Sequence, residues 1–175
     1  MEKLGGKTMK MTSAQAAKLL RQLKEELYAL QVRENNSRSF LASLDEDPES
    51  ARPDYDYNVM KEEMNAVEVK IRKLKHIINV FNTTTIIPEF GITIDEMLVL
   101  IPQLSANCSR LAKMKDALPK VRDISGYRSN IIDYRYVNYD IGQVKKDYTE
   151  LYNKLAKAQT ALDYVNSTVE MEVDI

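Results

Sequence analysis

Lys120, Arg122, Tyr127, Arg128, Tyr134, Arg135, Tyr136 and Tyr139 crowd one stretch of the chain, and nowhere else do the residue types suit chemistry so well. Six of the ten tyrosines fall between Tyr127 and Tyr152. A tyrosine face stacks on a planar base, and the arginine fork grips phosphate through two parallel hydrogen bonds. The chemistry on offer is therefore recognition of a nucleotide-like anion. The same residues also suit plainer work, with tyrosines closing the end of a helical assembly and arginines running their stems along it into solvent.

A second polar set gathers at Asn79, Asn82, Thr83, Thr84 and Thr85. These side chains offer donors and acceptors without charge, so they can read hydroxyls or a base edge. They can equally satisfy the last carbonyls of a helix. Arg72 and Lys75 lie on the polar stripe leading there, and His76 sits off the apolar seam without a partner in sequence. Nothing here marks an acid–base couple on a strained or glycine-rich turn. The five glycines form neither GxGxxG nor a Walker loop. One cysteine, Cys108, and one histidine exclude an internal disulfide and a His/Cys zinc site. The expectation is a protein that is not an enzyme and carries no cofactor.

The elements that must position these residues follow from apolar spacing. Met60, Met64, Val67, Ile71, Leu74, Ile78 and Phe81 recur at intervals of four and three, a heptad seam that needs another helix along its length. Ala16, Leu20, Leu23, Leu27 and Leu30 form a second seam, opened by Thr12 or Ser13 as a cap. Pro48 and Pro53 sit among acidic residues in a solvated link between the two. Thr93 with Glu96 three residues on is a capping box, and Ile94, Met97, Ile101, Leu104, Cys108, Leu111 and Leu118 continue the rhythm. Lys115 occupies one apolar place, and Pro102 should kink or break that helix. The rhythm stops from about residue 119 to 140, where Ile132, Tyr134 and Tyr136 alternate in a strand-like way. Asp140 and Gln143 restart a helix whose seam runs from Ile141 to Val165, and the last ten residues read as a short acidic tail. The fold class is all-α: an elongated antiparallel bundle or coiled coil of about four helices, with an irregular or short extended crossover near 119–140. Residues 1–11 read as a flexible lead-in, and 12–175 as one domain. The seams are too many for one chain to hide, which predicts a homo-oligomer.

Composition agrees with a single well-cored domain. The chain has 175 residues, 44% hydrophobic and 29% charged, with a net charge of −1. No basic field draws in a nucleic acid polymer. No run approaches the roughly 18 apolar residues of a membrane span, and the first residues lack a signal peptide's apolar core. A cytoplasmic protein without membrane partners is expected.

Taken in order, certain short motifs resemble a known family. They are Asn79-Val80-Phe81-Asn82-Thr83-Thr84-Thr85, Gly91 to Glu96 as Gly-x-Thr-x-x-Glu, Tyr127-Arg128-Ser129, and Asn166-Ser167-Thr168. The chain is similar to the septicolysin-like family of small helical proteins from bacteria and phages. Ser167 stands where the family usually has tryptophan, and its arginine-rich third helix is here poorer in charge. The resemblance implies an oligomeric scaffold with polar positions at Asn79, Asn82, Thr85, Thr93, Tyr127, Arg128, Asn166 and Thr168. Tyr134 and Arg135 join them from the aromatic stretch. Such a pocket would take a small anionic, nucleotide-derived ligand, by analogy with the sponges with which phages sequester immune signals. The alternatives are a structural or adaptor coiled coil and, from the family name, a membrane-active cytolysin.

Overall fold

The computed structural model describes residues 8–123 and 132–175. Helices take up 67% of it, joined by short antiparallel strand pairs. The order is β1 (Met9–Thr12), α1 (Ser13–Ser37), α2 (Pro48–Ala51), α3 (Tyr57–Thr84), β2 (Ile86–Ile87), β3 (Ile92–Thr93), α4 (Ile94–Lys115), β4 (Lys120–Arg122), β5 (Tyr134–Tyr136), α5 (Ile141–Thr168) and β6 (Glu170–Val173). No described helix is long and apolar enough to cross a membrane.

The chain divides into two compact units. The first comprises Met1–Thr84 with Val165–Ile175, the second Thr85–Tyr164. In the first unit α1 packs along α3 in the opposite direction. Arg33, late in α1, pairs with Glu63, early in α3, while Leu27 lies by Ile71 further along. The seam residues of α3 do not share burial equally. Met60, Val67, Leu74 and Phe81, seven residues apart, are buried, whereas Met64, Ile71 and Ile78 are half-buried. On α1 only Ala16 and Leu23 are buried; Leu20, Leu27 and Leu30 stay half-buried. Thr12 is the cap of α1, with Gln15 closing a capping box. Asp56 caps α3, its carboxylate accepting from the backbone of Asn58 and Val59.

The expected flexible lead-in is corrected for residues 9–11, since Met9–Thr12 forms an antiparallel pair with Glu170–Val173, inside the acidic tail. Met11, Met171 and Val173 are buried from one face of it. Lys10 stands opposite Glu172, a favourable cross-strand charge pair.

In the second unit Ile86 pairs with Thr93 and Ile87 with Ile92. Gly91, at φ 64°, closes that turn in the left-handed region where glycine alone is unstrained. Helix α4 continues unbroken through Pro102. The proline is exposed, so water can reach the carbonyl that loses its partner. Leu118 lies beyond the helix end and is exposed, and Cys108 packs in the core as a small apolar side chain. Lys115, at its apolar place, lies 5.0 Å over the Tyr148 ring, and the Tyr139 hydroxyl donates to the Met114 carbonyl at 2.9 Å. The end of α4 thus lies beside the start of α5. Asp140 caps α5 through the amides of Gly142 and Gln143, but the Gln143 side chain turns forward to Asp147 instead of completing a capping box.

Candidate functional site: the strand pair β4–β5 and the flank of α3

The aromatic stretch forms a ladder. Lys120 pairs with Tyr136, Val121 with Arg135 and Arg122 with Tyr134. Residues directly opposite in an antiparallel pair share a face, so Lys120, Arg122, Tyr134 and Tyr136 stand together on one side. All four are exposed. The Lys120 ammonium lies 4.0 Å from the centre of the Tyr134 ring and 5.4 Å from that of Tyr136. On the other side Arg135 pairs with the Asp123 carboxylate at 3.2 Å. Backbone bonds at both ends extend the ladder, from Asp123 N–H to the Asp133 carbonyl and from Val137 N–H to the Pro119 carbonyl. The result is an aromatic platform carrying fixed positive charge. A ring can stack on it while an anionic group meets Lys120 and Arg122.

Tyr127 and Arg128 lie outside the described residues. The remaining sequence candidates fall in three other places. Thr85 and Thr93 belong to the β2–β3 hairpin, and both are used locally. The Thr85 carbonyl accepts from Ile94 N–H. The Thr93 hydroxyl accepts from the Glu96 amide and donates to its carboxylate, which also accepts from Thr93 N–H. Those bonds, the backbone one first, hold the Glu96 carboxyl below the usual carboxylate range. Thr83 and Thr84 likewise donate to carbonyls of their own helix at Asn79 and Val80. Asn82 is half-buried near the end of α3, and Asn166 and Thr168 lie in the last turn of α5.

Asn79 instead borders a groove of about 410 Å³ on the flank of α3. Leu27 and Ile71 are its half-buried apolar lining, and Glu68, Arg72, Lys75, His76 and Asn79 its exposed polar one. Two further recesses contain none of the ligand candidates. One lies at the α1–α3 corner by Arg33, Tyr55 and Met60, the other between Phe90 and Lys154. At that corner desolvation and the Glu34 carboxylate, which accepts the Tyr55 hydroxyl at 3.3 Å, raise the phenol above its ordinary range.

Sequence reasoning named Arg72 and Lys75 as a polar stripe but not the groove, because Leu27 enters it from a distant helix. No group of three or more His, Cys, Asp or Glu side chains among the described residues could hold a metal ion.

No family model and no curated protein matches the chain. Among solved structures it is similar to a functionally unknown conserved protein from Corynebacterium diphtheriae. The TM-score is 0.55 at 16% identity, over 93% of this chain and 99% of that one. At that identity the likeness concerns the fold alone.

Proposed function

We propose that the protein acts by binding, as a homo-oligomeric helical bundle that holds a small phosphate-bearing, nucleotide-derived ligand without transforming it. The observation that carries this reading is the exposed face of β4–β5, where two tyrosine rings and two cations share one surface. Rings supply sequence-tolerant stacking and the cations supply affinity for phosphate. Tyr127 and Arg128, eight and seven residues before Arg135, keep their place as companions from the sequence alone. Half-buried apolar rows on α1 and α3 support the oligomer. The resemblance to the septicolysin-like family narrows the role to sequestration of a host signal, by analogy with phage sponges.

A second reading, a structural or adaptor coiled coil, also has an observation in its favour. The Thr93 hydroxyl caps α4, and those of Thr83 and Thr84 bond carbonyls one turn back in α3, local work that needs no ligand.

The experiment is a thermal-shift and calorimetric screen against nucleotides and ADP-ribose derivatives. A ligand at 100 times its dissociation constant stabilises by about 2.7 kcal/mol. Tyr134→Ala should then weaken binding by about 5- to 150-fold, the range for losing one base-stacking ring of roughly 1–3 kcal/mol. A screen without a hit, or a hit that Tyr134→Ala and Lys120→Ala bind as tightly as the parent, leaves the adaptor reading standing.

A further inference from the structure

We infer that the flank of α3 is a two-fold interface, where α3 of a second copy of this chain lies antiparallel with its centre close to Ile71. The inference rests on the homo-oligomer reading above and names its surface. Its first ground is the unequal burial of the seam. The row Met60, Val67, Leu74 and Phe81 is fully covered, but the row Met64, Ile71 and Ile78 is not, and the groove beside it is lined with apolar Leu27 and Ile71. A half-covered row of heptad period calls for another helix of the same period.

The second ground is charge. Glu68, Arg72 and Lys75 border this row, and none has an ion-pair partner among the described residues. A two-fold axis close to Ile71 sets the second copy's helix in reverse. Ile71 then meets its own counterpart, and Met64 meets the second copy's Ile78. Glu68 meets the second copy's Lys75, and by symmetry Lys75 meets its Glu68. One step outward, Lys61 meets Asn82. An isologous interface must be self-complementary in this way. Here the apolar row matches itself, and the polar row beside it pairs opposite charges twice per dimer. A lone anion in the groove would satisfy Arg72 and Lys75 but would leave Glu68 repelling it.

Sedimentation and light scattering on the full chain test this with charge swaps. Glu68→Lys and Lys75→Glu each place like charges against each other at two sites. Each should raise the dimer dissociation constant by about tenfold or more. Mixing the two single variants should restore association, since one copy then carries a cation at both positions and the other an anion at both. The double variant should again pair with itself. Both residues are exposed, so helicity and melting should stay near the parent's, and Glu62→Lys, on the opposite side of the helix, should not alter assembly. If the parent dimerises but neither reversal weakens it, this interface is wrong while the homo-oligomer reading survives. A parent that runs as a monomer near 20.1 kDa at micromolar concentration overturns both. A monomer whose Arg72→Ala and Lys75→Ala variants lose nucleotide binding would hand the groove to a ligand and likewise overturn the interface.

Discussion

The flank of α3 and the exposed face of β4–β5 are both polar, cationic and open to solvent, yet they differ in what lies beneath. The α3 flank stands on a 28-residue helix whose next row is buried, Leu74 completely. The β4–β5 face stands on two three-residue strands with no buried side chain. A surface on a long buried seam repeats every seven residues and presents a large, rigid, periodic pattern. A surface on a short ladder presents a few side chains at one spot. That difference is why the first is proposed above to take another helix and the second a small planar ligand.

The sharpest way to break the comparison is stability. Leu74→Ala should cost about 2–5 kcal/mol, because it opens a cavity at a fully buried side chain. Tyr134→Ala, at an exposed position, should stay within about 0.5 kcal/mol of the parent. Urea midpoints measure both, and similar losses would mean that the ladder carries load comparable to the seam. Binding comes next: Tyr134→Ala should weaken a captured nucleotide by the factor given above while leaving the dimer unchanged. Glu68→Lys should do the reverse, weakening the dimer about tenfold and leaving ligand affinity per chain unaltered. If either variant moves both readouts, the two surfaces are coupled.

The smallest expected effect concerns the cap of α4. The Glu96 carboxyl lies below its ordinary range in the folded chain, so its contribution is present above the unfolded carboxylate pKa. That contribution fades as pH falls through the lower folded value. Melting temperatures of the parent and Glu96→Gln should therefore differ at neutral pH and converge on acidification. A gap that widens in acid would contradict the bonds from Thr93.

Much of this was legible in residues. The cap at Thr12 or Ser13, the capping box at Thr93, the Asp140 cap and the heptad rows of α3 and α5 all depend on neighbours within seven positions. So does the strand character of Tyr134 and Tyr136. What failed to show has a common cause. The alternation Glu170-Met171-Glu172-Val173 was there to see, as was Met9-Lys10-Met11, but a strand needs a partner, and each lies at the opposite end of the chain from its own. Pro102 suggested a kink or a break because the lost hydrogen bond is visible in sequence, whereas its cost depends on whether that carbonyl reaches water. The threonines after Asn82 read equally as a recognition surface or as partners for helix carbonyls, because free and engaged hydroxyls are written with the same letters.

Local sequence thus determined the period of the four long helices, the caps at Thr93 and Asp140 and the residue types on each stripe, since those are set by backbone geometry and near neighbours. It could not decide which apolar row of α3 would be covered. Residue for residue, Met60, Val67, Leu74 and Phe81 are no more hydrophobic than Met64, Ile71 and Ile78. Only the side on which α1 comes to rest buries the first row and leaves the second half-open. The same packing brings Leu27 to Ile71 and makes a groove from two helices that share no sequence neighbourhood. Long-range contact, not composition, separates core from surface here, because burial belongs to pairs of elements and not to single residues.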